Sequence, residues 1–196
     1  MRFFKQIFFV ILISSFISSS NAKDPIVFIS EITDTASNIL KENISIEEKA
    51  DKLIILAEKT VDIDGIGLYS LGKHRKSISD DILNMYKVSF RNYFLKSFSS
   101  RLSQYSDPKI NVISQNVISD KYTIVSSVLV ETEDRPEIKI DWRIYTKDPN
   151  KPLIRDLIIE GLSLARTQKE EFNSVIQGAD GNVNALLKNL EIFNTK

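Results

Sequence analysis

Glu137-Ile138-Lys139-Ile140-Asp141-Trp142-Arg143-Ile144 alternates polar and apolar side chains without a break. A period of two is the mark of a β-strand with one dry face and one wet face. Ile138, Ile140, Trp142 and Ile144 make the dry side, and Glu137, Lys139, Asp141 and Arg143 the wet one. Before this stretch, Ile110 to Ile118 and Tyr122 to Thr132 are rich in β-branched residues and are separated by Ser119-Asp120, which predicts two strands and a tight turn. The second of these is apolar on both sides, with Ile124, Val128 and Val130 set against Val125 and Leu129. After it, Asp148-Pro149-Asn150-Lys151-Pro152 reads as a turn, and Leu153 to Leu162 as a further strand.

Helical signals flank the strands on both sides. Asp24-Pro25 pairs a capping residue with proline at the first helical position. Ser45-Ile46-Glu47-Glu48 is a capping box ahead of Leu53, Ile54, Leu56 and Ala57. Asp62 opens a short helix through Ile63, Ile66 and Tyr69 that ends at Gly72. The longest helix is predicted from Ser77 or Ser79 to about Ser103; Ile82, Tyr86, Phe90, Tyr93, Phe94 and Leu102 share a face, and the apolar surface is broad enough to need cover on more than one side. Thr167-Gln168-Lys169-Glu170 predicts a helix running to Gly178, and Asp180 a final one. The class is therefore α+β: a curved antiparallel sheet of about four strands, packed with helices from an N-terminal helical part and from the C-terminus. A sheet facing such a layer encloses either a solid core or an apolar cavity. The expected divisions are helices over about 24–105, sheet over about 109–162 and C-terminal helices over about 164–191, all in one domain spanning 23–196.

The start of the chain sets the expected compartment. Arg2 and Lys5 precede an apolar run from Ile7 to Ile13, and Ser20-Asn21-Ala22 supplies small residues for cleavage after Ala22. That pattern predicts a signal peptide over 1–22, removed on export. The run is short for a membrane span, and no cysteine follows it for lipid attachment. The remaining chain has no basic concentration of the kind a nucleic acid requires. With no cysteine and one histidine, thiol chemistry is excluded and metal ligands are scarce. That histidine, His74, stands among Lys73, Arg75 and Lys76 and reads as part of a solvated basic patch. Gly65 and Gly67 lack the rest of any phosphate-loop fingerprint. A general base in an apolar pocket would be a carboxylate, and Asp141, Asp156 and Glu160 lie on predicted strands; Asp141 falls on the wet side of its strand, and one of the other two can be buried.

Several segments resemble the MlaC (toluene-tolerance) family, in order and spacing. Asp62-Ile63-Asp64-Gly65-Ile66-Gly67-Leu68-Tyr69-Ser70-Leu71-Gly72-Lys73-His74 is similar to its aspartate-to-Leu-Gly helix with basic residues after the glycine. Phe90, Tyr93 and Arg101-Leu102-Ser103-Gln104-Tyr105 are similar to its long helix and exit, and Asp141-Trp142-Arg143 to its central strand. Asp156-Leu157-Ile158-Ile159-Glu160-Gly161-Leu162-Ser163, followed by Lys169, Glu171 and Phe172, resembles its Asp-x-x-x-Glu-Gly-x-Ser strand end and next helix. Pro152 stands near a position where the family usually has tryptophan, and Lys169 where arginine is commoner.

The resemblance implies a periplasmic carrier, not an enzyme, and no cofactor. Its ligand would be a phospholipid (a diacyl glycerophospholipid), moved between an outer-membrane lipoprotein-porin complex and an inner-membrane ABC transporter with a periplasmic lipid-binding subunit. The physical need is plain: a diacyl lipid exposes roughly thirty methylenes, on the order of 20 kcal/mol in water at about 0.8 each. Candidate cavity residues are Ile66, Tyr69, Phe90, Phe94, Ile124, Val128, Val130, Ile138, Ile140, Trp142, Ile158 and Leu162. Candidates for contact with a head group or partner are Lys73, His74, Arg75, Arg101, Arg143 and Lys169. An NTF2-like, isomerase-type cavity enzyme and a carrier of hopanoids or other apolar ligands are the alternatives.

Overall fold

Short-range capping chemistry starts each of the four N-terminal helices. The Asp24 carboxylate accepts the N–H groups of Ile26 and Val27 at 2.7 and 3.3 Å and opens α1, Pro25–Lys41. Ser45 and Glu48 exchange both bonds of the capping box ahead of α2, Ile46–Thr60. Asp62 accepts from Gly65 N at 2.9 Å and starts α3, Ile63–Leu71. Gly72 stops it, with φ +59° and ψ −132°, a conformation open to glycine almost alone. A 3₁₀ turn follows over Gly72–Lys76, then Ser79 caps α4, Asp80–Leu102. These are observations on a computed structural model, which describes residues 23–133 and 135–195. The expected export segment, 1–22, lies outside the described residues.

The sheet is an antiparallel meander in the order β1 (Ile110–Ser119), β2 (Tyr122–Leu129), β3 (Ile138–Tyr145), β4 (Leu153–Ile159) and β5 (Leu162–Ser163). Ser119 pairs with Tyr122, so the first tight turn is Asp120-Lys121, one residue later than expected. Pairing irregularities in β1, after Val112 and after Val117, and between Arg143 and Ile144 where β3 meets β4, bend the sheet. β2 ends at Leu129 instead of Thr132: Val130 still donates to Lys109 O at 2.8 Å, but Thr132 turns to pair with Arg135.

Three expectations at the C-terminal end are corrected. Leu153 to Leu162 is not one strand. Glu160 and Gly161 take φ values of +49° and +83°, and Ile159 pairs with Leu162 across them, so the chain reverses in a two-residue hairpin loop. Gly161 is thus a turn glycine; a Cβ there would meet nothing within 4 Å. The next helix, α5, Leu164–Gln177, begins ahead of the predicted box because Ser163 caps it, accepting Arg166 N at 3.1 Å. Thr167 lies inside that helix and donates back to Ser163 O. The last helix, α6, Val183–Thr195, is started by Asn182, which accepts from Asn184 N, while Asp180 sits in the left-handed region at φ +54°.

Two large apolar clusters result. One lies among the helices, with Ala57, Ile66, Tyr86, Phe90, Phe172, Ile176 and Leu186 at its heart. The other lies between α1 and the sheet, with Phe28, Ile29 and Ile32 set against Val125, Leu129, Ile140, Trp142, Ile144 and Ile154.

Candidate functional site

The alternation of β3 fixes the inner face of the sheet. Ile140, Trp142 and Ile144 are buried beneath α1, and the strand pairing brings Ser127, Val125 and Thr123 of β2 beside them. Two of these neighbours are polar, yet the face stays dry because Ser127 is saturated. Its Oγ accepts Trp142 Nε1–H at 2.8 Å and donates to Ile140 O at 3.1 Å. This is how a buried hydroxyl and a buried indole satisfy one another. Ile138 lies at the half-buried edge of the same face.

Ile124 and Val128 belong to the other face, since Val128 pairs with Lys139 and Ile124 with Arg143. Ile158 lies opposite Asp141 on that face as well, and Val130 lies beyond the end of β2. The structure therefore does not bring these four together with Ile140 and Trp142 in one wall. All four are half-buried. Leu162, on β5, is 59% exposed. Ile66 and Phe90 are packed in the helical cluster, Phe94 lies against it, and Tyr69 is 40% exposed at its rim.

The carboxylates on the strands are structural in their bonding. Asp141 is half-buried, not fully wet as expected, and accepts from Ser126 Oγ at 2.6 Å. Asp156 is the buried member of its pair; it accepts from Ser163 Oγ at 2.6 Å and from Ala165 N at 3.0 Å. A carboxylate at the N-terminus of α5 is favoured by the helix dipole. Arg143 Nη1 stands 3.8 Å from it. Glu160 is exposed in the hairpin loop.

Among the basic candidates, Lys73, Arg75 and Lys169 meet Tyr69, Gly72 and Lys76 around an open groove of about 330 Å³. His74 does not share their solvation. It is 7% exposed, with Nε2 3.1 Å from Asn173 Oδ1 of α5, because the 3₁₀ turn directs it inward while its neighbours face out. Arg101, at the end of α4, and Arg143, on the sheet, lie apart from this groove. A second open groove, about 590 Å³, runs between α4 and α6 past Met85, Val88 and Leu187. Neither borders the sheet, and the apolar space expected beneath it is occupied by Phe28, Ile29 and Ile32 of α1.

One important residue carries no signal in the sequence. Arg155, at the register shift in β4, donates to Asp62 Oδ2 at 2.6 Å and Tyr122 OH at 2.7 Å, and its guanidinium lies 3.7 Å from the centre of the Tyr145 ring. Burial works against its charge, but the bonds to Asp62 and Tyr122 outweigh that and hold its pKa above the usual value. Asp62 N also donates to Ile154 O at 2.9 Å, so one point ties the start of α3 to the sheet. Among the described residues, no three His, Cys, Asp or Glu side chains are placed to hold a metal ion. No described helix is long and apolar enough to cross a membrane.

Comparison with known proteins agrees with this architecture. A phospholipid-binding protein from Ralstonia solanacearum, solved in complex with a phospholipid, superposes with a TM-score of 0.73. The match spans 88% of this chain and 98% of that one at 18% sequence identity, a likeness of fold. No curated protein matches the chain. The family described as MlaC protein matches residues 30–192, and the chain belongs to that family.

Proposed function

We propose that the protein is a periplasmic carrier that binds one diacyl glycerophospholipid, with its acyl chains between α1 and the inner face of the sheet. Membership of the MlaC family over residues 30–192 carries this reading. The phospholipid held by the Ralstonia protein of similar fold supports it. So does the composition of the α1–sheet cluster, where Phe28, Ile29 and Ile32 occupy the place acyl chains would take. Movement of α1 exchanges one apolar cover for another, which is a small free-energy change compared with exposing either to water. In this reading the carrier serves an Mla-type transport system, taking lipid between an outer-membrane lipoprotein-porin complex and an inner-membrane ABC transporter. A catalytic role for Asp156 is disfavoured by its bonding, since both of its oxygens already hold the start of α5 in place.

The test is native mass spectrometry of protein purified from an envelope fraction, repeated for Ile140→Asp and for the surface control Lys139→Asp. The wild type and the control should carry about one phospholipid per chain. Ile140→Asp should fold and come free of lipid, because its carboxylate meets water once α1 is lifted. A protein that never holds lipid, or a folded Ile140→Asp with full lipid content, overturns this placement. Failure of Ile140→Asp to fold would make Ile140 ordinary solid core.

A further inference from the structure

The sequence from Gly72 to Lys76 compresses into one 3₁₀ turn, and that geometry sorts its side chains. With three residues per turn, Lys73 and Lys76 are eclipsed on one side. His74 points the other way and is pinned to Asn173. Asn173 and Lys169 are four residues apart on α5, hence on one face of it. The pin therefore also draws Lys169 up to the turn, where its stem crosses Gly72 so closely that a Cβ there would lie 3.2 Å from Lys169 Cε. Lys169 Nζ sits 5.1 Å from the centre of the Tyr69 ring, and Arg75 is held by a bond to Leu68 O. Four cations from two elements thus line one groove beside an exposed tyrosine. No carboxylate lies in ion-pair range of any of them among the described residues. Arg2 and Lys5 aside, the chain has 24 basic against 26 acidic residues, so this concentration is local and runs against the overall balance.

From this geometry we infer that the groove formed by Tyr69, Lys73, Arg75, Lys76 and Lys169 docks the protein on an anionic lipid bilayer. Clustered Lys and Arg are drawn to an anionic leaflet, and an exposed tyrosine is suited to the head-group level. The strength is also what a shuttle needs. Each cation near such a surface gives about a five-fold gain in partitioning, so four give a few-hundred-fold preference, which is reversible and sensitive to salt. The inference deepens the carrier reading by naming the side of the protein that meets the membrane.

The experiment is vesicle flotation of the purified protein, with vesicles of phosphatidylcholine alone and vesicles in which half of the lipid is phosphatidylglycerol. At low salt the wild type should float with the anionic vesicles at least tenfold more than with the neutral ones, and lose that preference at high salt. Lys73→Glu combined with Lys76→Glu should abolish it, and Lys169→Glu should weaken it. The same charge change made at the two ends of β1, Lys109→Glu with Lys121→Glu, removes two cations outside the groove and should leave it within about twofold of wild type, since only charges within about a Debye length of the leaflet count. Circular dichroism checks that each variant is folded. Equal flotation with both vesicles overturns the inference and leaves the cations to an acidic protein surface. Equal loss in the groove and β1 variants overturns it too, reducing the effect to net charge. Lipid content of the wild type is measured separately, so failure of the carrier reading and failure of the docking surface give different results.

Discussion

The two apolar clusters are built on different principles. In the helical cluster Phe90 is the centre of an aromatic network, with ring centroids 5.8 Å from Tyr86, 6.2 Å from Phe94 and 6.1 Å from an edge-on Phe172. Residues of five helices converge there. Gly67 leaves room for the ring: a Cβ on it would lie 2.7 Å from Phe90 Cδ1. The sheet cluster is largely aliphatic, and most of its cover comes from one helix, α1. Directional ring packing resists rearrangement, whereas aliphatic side chains under a single helix can be replaced by acyl chains at little cost. One cluster holds the fold, and under the proposed function the other is the lining that lipid exchanges with.

The sharpest break of this contrast is Phe90→Ala. Phe90 is 2% exposed, and its truncation should cost about 4 kcal/mol through lost transfer energy and a cavity that the surrounding rings cannot fill. Urea unfolding followed by circular dichroism measures it. A loss under about 1.5 kcal/mol would mean that the helical cluster repacks freely and is not the rigid half of the molecule.

Arg155→Ala cuts the link between the two regions. It leaves Asp62, which also caps α3, without its charged partner in a part-buried position. The expected loss is about 2 kcal/mol, the range for hydrogen bonds to charged groups. The single tryptophan, Trp142, reports only on the sheet, while circular dichroism near 222 nm is dominated by helix. In wild type the two signals should unfold together; in Arg155→Ala they should separate. Coincident transitions in the variant would show that packing alone couples the regions.

How much of this was legible depends on the range of each interaction. The starts of the first four helices were readable because Asp24, Ser45, Asp62 and Ser79 act on N–H groups two or three residues away. The dry face of β3 was readable from its own alternation. The face of β2 was not, because its buried side carries Thr123 and Ser127, and only pairing with β3 shows that Ser127 serves Trp142. The inward turn of His74 and the role of Arg155 are hidden for the same reason. Their partners, Asn173 and Asp62, lie 99 and 93 residues away, beyond any local pattern. Lys73, Arg75 and Lys169 stand out one by one in the sequence, but the pin that brings them together is a long-range contact.

Ser127→Ala tests the sheet cluster on its own terms. It strands the buried Trp142 N–H, which should cost about 1.5 kcal/mol. If the lining is exchangeable, bound lipid or a small shift of α1 lets water reach the indole, and tryptophan emission should move to the red with little further loss. A loss above about 3 kcal/mol without a shift in emission would describe a site as closed as the helical cluster.

Tyr86→Phe asks the same question of the helical cluster, through pH. The Tyr86 hydroxyl donates to Gly67 O at 2.9 Å in a fully buried setting. Burial, with a smaller contribution from Tyr93, raises its pKa far above the ordinary 10.0. A group whose pKa is raised on folding gives stability that is fully present below the unfolded value. That stability is lost as pH climbs from there toward the folded value, because the unfolded chain releases its proton first. Wild-type stability should therefore be level in this respect up to about pH 9.5 and fall above pH 10. At pH 8 the phenylalanine variant should be weaker by about 1 kcal/mol, the worth of one hydrogen bond. It has no proton to release, so its disadvantage should shrink above pH 10 and vanish near pH 11, where ionisation of the unfolded tyrosine costs wild type about 1.4 kcal/mol. Urea midpoints at a series of pH values would follow the two curves. Convergence means that Tyr86 stays neutral in a cluster closed to water; a gap that persists at pH 11 means that the hydroxyl ionises in place, and then the helical cluster opens as readily as the sheet lining.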